Sequence, residues 1–161
     1  MAWTRINHDL EYVRQGPDMC LYAGVEILLK YNKVKNFDQY DLYNLENSRV
    51  VSKIVQTLNT INDLKDFIIE YPDHNECTLD KIKSYIDHDC PVLVNLYDKH
   101  HSAQGKGHSY IIEAYDDETA TIQLVDPNQD IDKKTCFFTY NEFQQKWING
   151  PILELIAIRH K

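Results

Sequence analysis

Cys20 stands where the stretch "RQGPDMCLYAGVEILLKYN" changes from polar, turn-prone residues to regularly apolar ones. Leu21, Val25, Leu28 and Leu29 recur at helical spacing, which predicts a helix of about three turns starting at or near the cysteine. A thiol in the first turn of a helix lies near the positive end of the helix dipole, which favours thiolate and so makes a nucleophile. A lone cysteine is more often a small buried apolar side chain, so the chemical reading needs partners. A thiol nucleophile requires a base, and the base requires a group that orients it. His108 opens the β-type run "HSYIIEAYDD" after a glycine-rich loop, and Asp126 in "LVDPN" ends the next run eighteen residues later. In antiparallel strands joined by a turn near Asp116 and Asp117, the start of the first lies beside the end of the second, so His108 and Asp126 are expected neighbours. A carboxylate accepting from one ring nitrogen fixes the tautomer and leaves the other nitrogen for Cys20. Singly, His108 reads as a turn residue and Asp126 as an ordinary strand exit before proline. Together with Cys20 they outline nucleophile, base and orienter.

Gln15 has a physical case of its own. Its side-chain amide and the Cys20 N–H could both point at the oxygen that becomes negative when a thiolate attacks a carbonyl, with Gly16 and Pro17 shaping the turn between them. The alternative is a solvated loop side chain, and the sequence does not separate the two.

The elements that must position these groups follow a simple order. After the first helix, "FDQYDLYNLENSRVVSKIVQTLNTINDLKDFIIEY" reads as further helical segments, with Val50, Val51, Ile54, Leu58 and Ile61 forming the clearest face. Thr78 reads as the N-cap of "LDKIKSYIDHD", in which Leu79, Ile82, Tyr85 and Ile86 share one side. From Pro91 onward the β-type runs "PVLVNLY", "HSYIIEAYD", "TATIQLVD", "KTCFFTY" and "PILELIAIRH" take over, interrupted by a short helix in "YNEFQQKWI". Helices first and an antiparallel sheet second make an α+β arrangement rather than alternating βαβ units.

Composition bounds the reading. The 161 residues suit one domain spanning 1–161, with 43% hydrophobic and 26% charged residues, as in a folded chain rather than a disordered one. Net charge is −8 with no basic block, which argues against nucleic acid as a partner. The N-terminus carries no secretory signal pattern and no stretch has the ~20 apolar residues of a spanning helix, so no membrane partner is expected. Cys20, Cys77, Cys90 and Cys136 are widely and irregularly spaced, which argues for free thiols; Cys77, Cys90 and Cys136 read as packing residues. His88, His100, His101, His108 and Cys90 match no compact zinc motif, and "DDETATIQ" and "DPNQDIDKK" lack the spacing of a calcium loop. Neither metal nor cofactor is expected. Tyr22, Tyr97 and Tyr110 are candidates either for the lining of a cleft or for the edge of the core.

With Gln15 shortly before a cysteine, the helix opening "CLYAGVEILLKYN", then "CPVLVNL", "GHSYIIEAYDD", "VDPN" and "YNEFQQKW", the chain resembles the papain-like cysteine peptidases. The closest branch is the compact bacterial one that includes bacteriocin-leader-processing peptidase domains and secreted effector proteases. The resemblance runs from about Arg14 to Trp147, in the family's order Cys, His, Asp. It differs in that Gln15 lies five residues before the cysteine where the family usually has six, and in that Leu21 and Tyr22 follow the cysteine in place of glycine or tryptophan. It implies a papain-like fold with the helical half packed on the sheet, a Cys20 nucleophile, a His108 general base, an Asp126 orienter and a Gln15 oxyanion donor. It also implies a protein or peptide substrate cleaved through a thioester acyl-enzyme. A free-standing protease of this size, cytoplasmic or delivered into another cell by a specialised secretion system, would suit a bacterial toxin or effector held in check by an immunity or inhibitor protein. Two other readings keep the fold: an acyltransferase or transglutaminase using the same three residues, and a catalytically inactive binding module.

Overall fold

The computed structural model describes residues 2–97, 107–128, 135–149 and 152–161. The helix expected after the first cysteine is α1, Cys20–Tyr31, and Leu21, Val25, Leu28 and Leu29 are all buried along it. The chain enters α1 through a tight turn closed by the Met19 N–H donating to the Gly16 carbonyl at 3.1 Å, with Asp18 in the left-handed region at φ 56°. A Cβ on Gly16 would lie 2.4 Å from the Tyr40 hydroxyl, so this turn admits only glycine without displacing that ring.

Two shorter helices follow. α2, Gln39–Leu45, starts at a capping box: the Asp38 carboxylate accepts from the Tyr40 and Asp41 N–H groups at 2.9 and 2.8 Å, and Asp41 accepts from the Asp38 N–H at 3.0 Å. α3, Val51–Leu58, buries Val51, Ile54 and Leu58 on the expected face, while Val50 stands outside as its exposed N-cap. α4, Leu79–Asp87, begins where its sequence signal lies, with the Thr78 hydroxyl accepting from the Lys81 N–H at 3.1 Å.

Among the described residues the sheet has seven strands, all paired antiparallel: β1 (Thr4–Arg5), β2 (Phe67–Glu70), β3 (Val92–Leu96), β4 (His108–Asp116), β5 (Thr121–Val125), β6 (Thr135–Thr139) and β7 (Leu155–His160). The order is β2-β7-β3-β4-β5-β6, and β1 pairs with the far part of β4, beyond the point where β3 begins. The helix α5, Tyr140–Ile148, follows β6 directly. The architecture is α+β, and the run of strands from β3 onward lies where the sequence places it. Two strands correct the sequence reading. Phe67–Glu70, read as helical, is an edge strand, because Ile69 pairs with Ile158 and Glu70 binds Arg159 at 2.8 Å; such partners are invisible in a short apolar run. The two-residue β1 is too short to carry any periodic signal. Among the described residues no helix is long and apolar enough to cross a membrane.

What matters for chemistry is how α1 meets the sheet. A Cβ on Gly24 would lie 2.7 Å from Leu93 Cδ1 and 3.4 Å from Ile111 Cδ1, two residues that face each other across β3 and β4. The missing side chain therefore sets a close helix-to-sheet approach. Cys20 is one turn before Gly24, and His108 and Ser109 lie three and two residues before Ile111 on its strand, so the close approach brings the helix start to the strand start. Gly24→Val should overpack this contact and cost about 1–3 kcal/mol of stability, read as a lower urea midpoint with unchanged m-value. A midpoint equal to wild type would show that the helix is not seated there.

Candidate active site

The β4–β5 register sets Ile111 opposite Val125; one step further, Tyr110 faces Asp126 and His108 is its diagonal neighbour. His108 Nε2 donates to Asp126 Oδ1 at 2.5 Å, with the residues 2% and 4% exposed. The same carboxylate oxygen accepts the Asn128 N–H at 2.8 Å. The Tyr110 ring meets the imidazole edge-on, centroids 5.0 Å apart, and shields it from one side. Sequence position and strand pairing thus meet as expected: an imidazole on rigid backbone, oriented by a buried carboxylate.

The half-buried Cys20 completes the series. Its sulfur lies beside the His108 ring and beside the backbone N–H and hydroxyl of Ser109, the groups that act on its titration. With Nε2 committed to Asp126, Nδ1 is the nitrogen that faces sulfur. Burial is the largest single influence on this thiol and pushes its pKa up, but the hydrogen bond and charge of His108 and the Ser109 groups together outweigh it, and the thiol titrates below its ordinary range. Burial likewise works against the imidazolium, but the hydrogen bonds and charges of Asp126 and Cys20 prevail and raise His108 to about 9. The two shifts, thiol down and imidazole up, run in the direction that favours a thiolate–imidazolium pair. The N–H groups of Cys20, Leu21 and Tyr22 precede the first bond into α1, from Ala23 to the Met19 carbonyl at 2.8 Å, so they have no acceptor within the helix. The other cysteines behave oppositely: burial pushes all three up, Cys90 and Cys136 to about 12.

Gln15 is tied to the same place through its backbone, its N–H donating at 3.0 Å to the carbonyl of Pro127, the residue after Asp126. The Tyr12 hydroxyl donates to that carbonyl as well, at 3.2 Å. The Gln15 side chain is half-buried rather than solvated: its Nε2 makes only a long 3.5 Å bond to the Gly16 carbonyl, and its buried Oε1 finds no partner among the described residues. A buried amide so lightly committed retains hydrogen-bonding capacity for a further group. Gln39, which the sequence did not single out, clamps the loop on both sides of it. The Gln39 carbonyl oxygen accepts from the Gly16 N–H at 2.8 Å, and its Nε2 donates to the Arg14 carbonyl at 3.0 Å. Ser109 was likewise missed; a serine beside a histidine in a β-run has no pattern that marks it.

Of the three tyrosines, Tyr110 packs on His108, Tyr97 is exposed, and Tyr22 belongs to the core, its hydroxyl donating to the Glu46 carbonyl at 2.7 Å and accepting from the Arg49 N–H at 3.2 Å. Among the described residues no group of three or more His, Cys, Asp or Glu side chains is placed to hold a metal ion. His100 and His101 lie outside the described residues.

Residues 7–150 match the model of the family described as "Peptidase_C39 like family". The fold is similar to that of a C39-like peptidase from Bacillus anthracis, with TM-score 0.70 at 13% identity over 98% of each chain. It is also similar to the peptidase domain of Streptococcus ComA, described as a bifunctional ABC transporter of a quorum-sensing pathway, with TM-score 0.63 at 17% identity over 94% of this chain and 97% of that one. No curated protein matches the chain significantly.

At neutral pH Cys20 should be alkylated by iodoacetamide much faster than Cys77, Cys90 or Cys136, because only its thiol is pulled down. The thiolate's cationic partner is present below about 9 and is lost above it, so the advantage of Cys20 should narrow as pH rises past that value. Equal rates at all four cysteines at neutral pH would contradict the ion pair.

Proposed function

The chain belongs to the C39-like family of cysteine peptidases, and from that premise we propose that Cys20 is the nucleophile, His108 the general acid and base, Asp126 its orienter and Gln15 an oxyanion donor, in one peptidase domain spanning 1–161. The observation that carries this is the hydrogen-bonded series Asp126, His108, Cys20, with the thiol titrating below its usual range and the imidazole above it.

The thiolate attacks the carbonyl carbon of a peptide bond, and the developing oxyanion is met by the Cys20 N–H and the Gln15 amide. Nδ1 of His108 gives its proton to the leaving amine, so the C–N bond breaks and a thioester remains on Cys20. The imidazole, now neutral, takes a proton from water; the hydroxide attacks the thioester, and the acid product leaves as the thiolate–imidazolium pair re-forms. Asp126 stays ionised throughout and stabilises the imidazolium.

The substrate is a protein or peptide, and we propose a role as a bacterial effector or toxin protease restrained by an immunity or inhibitor protein. The residues that depart from the family pattern, Leu21 and Tyr22, are buried in the core at 8% and 0% exposure, so the departure is one of packing, while Cys20 itself is only partly buried. That favours an active enzyme over an inert module of the same fold.

Cys20→Ala and His108→Ala should abolish cleavage without loss of the folded state, Asp126→Ala should leave a residue of activity, and Gln15→Ala should lower kcat by roughly 10²–10³ if it donates to the oxyanion. Wild type and Cys20→Ala compared on whole-cell extracts, read by enrichment of new N-termini, would give both activity and target. Full cleavage by Cys20→Ala would refute the assignment. New amide products formed with added amine, in place of hydrolysed fragments, would instead identify an acyltransferase.

A further inference from the structure

A second set of polar side chains reaches the nucleophile from the side opposite to Asp126 in the sheet order. Asn95 faces Ser109 in the β3–β4 register, and one step beyond the Val94–Leu155 pair it faces Glu154, so Glu154, Asn95 and Ser109 form a row across three strands. The row is hydrogen-bonded end to end. The Ser109 hydroxyl donates to Asn95 Oδ1 at 2.5 Å, Asn95 Nδ2 donates to Glu154 Oε1 at 3.2 Å, and the Tyr71 hydroxyl donates to Glu154 Oε2 at 2.5 Å. Ser109 is at the same time a partner of the Cys20 sulfur.

The directions of these bonds are fixed by valence. A carboxylate only accepts, so the Asn95 amide must turn its NH₂ toward Glu154 and its carbonyl toward Ser109. Ser109 has a single hydroxyl proton, which the Asn95 carbonyl then holds. The same proton is what a thiolate at Cys20 would use, and it cannot serve both. We propose that Glu154, acting through Asn95, is a positioning residue that governs whether the Ser109 hydroxyl donates to the Cys20 sulfur; this rests on Cys20 being the nucleophile. When the S–H proton of Cys20 passes to His108 Nδ1, the Ser109 O–H must leave Asn95 Oδ1 to reach the thiolate. With an un-ionised group in place of the carboxylate the whole row can reverse, Asn95 donating to Ser109 Oγ and the Ser109 proton pointing at sulfur without loss. The chain therefore sets a cost on thiolate formation that is relieved when position 154 can donate.

Glu154 is 5% exposed, and burial is the main cause that raises its pKa. The titratable groups that face it are Tyr71, the exposed His74, whose Nδ1 binds the neighbouring Leu153 carbonyl at 2.7 Å, and the buried Cys77; Trp147 Nε1 donates to its backbone carbonyl at 3.2 Å. At the other end of the row the sulfur faces His108 and Ser109.

The test is the pH profile of iodoacetamide alkylation at Cys20 in Glu154→Gln, measured with and without Ser109→Ala. Asn95→Leu, which removes the acceptor that competes for the Ser109 proton, is the second variant, and a cooperative thermal melt qualifies each protein. Both substitutions should speed alkylation on the acid side of the profile by about fivefold, the worth of one neutral hydrogen bond, and in the Ser109→Ala background this gain should vanish. An equal gain with and without the hydroxyl would mean that charge is merely removed through space, and no gain would mean that the row does not reach the nucleophile; either overturns the proposal. Failure of the underlying reading looks different: wild-type Cys20 would then react no faster than the other three cysteines.

Discussion

Asp126 is an ionisable carboxyl held almost entirely out of water, and a charge in that position costs several kcal/mol unless it is paired and hydrogen-bonded. The Asn128 N–H and the His108 ring meet that requirement, and the ring meets it best when it carries a positive charge. A buried imidazolium has the same need in turn, and a thiolate at Cys20, whose pKa is lowered by His108, would answer it. Burial alone would drive both titrating partners to their neutral forms. Mutual pairing overrides it, so the reactive state depends on three groups being held in register more than on any property of the cysteine by itself.

The rest of the molecule can be understood as what keeps that register. Pairing of β4 with β5 brings the imidazole to the carboxylate, and the glycine seat of α1 on Leu93 and Ile111 brings the sulfur to the imidazole. The loop before α1 is held from both sides. The Pro127 carbonyl anchors Gln15 and Tyr12, and Gln39 clamps Arg14 and Gly16. Gln39 is itself fixed by the buried Glu26, which accepts the Gln39 N–H at 2.6 Å and pairs with Lys30 at 2.9 Å, so a polar line runs from the middle of α1 through α2 back to the loop that precedes α1.

Much of this was legible in the sequence because the signals were local or followed from strand pairing. The apolar stripe after Cys20 marked a helix start, β-rich runs from Pro91 marked the sheet, and the hairpin between His108 and Asp126 implied their contact from antiparallel geometry alone. What escaped depends on partners distant in the chain. Phe67–Glu70 becomes a strand only because Leu155–His160 lies beside it. Gln39 and Ser109 gain their roles only from where α2 and the β3–β4 register set them, and no spacing rule singles out a lone glutamine or a serine beside a histidine. Tyr22 shows the converse: adjacency to the cysteine in sequence places it in the core, because successive helix residues point about 100° apart.

The central claim is that the resting protein holds an imidazolium at His108 because a thiolate sits beside it. Nitrogen-15 NMR of the histidine ring at pH 7.5 tests this most directly. The account predicts that both nitrogens of His108 carry protons in the unmodified protein and that the ring reverts to a single proton when Cys20 is replaced by alanine, since the raised ring pKa depends in part on that sulfur. A neutral His108 with one proton in the unmodified protein, unchanged by removal of the sulfur, would contradict it.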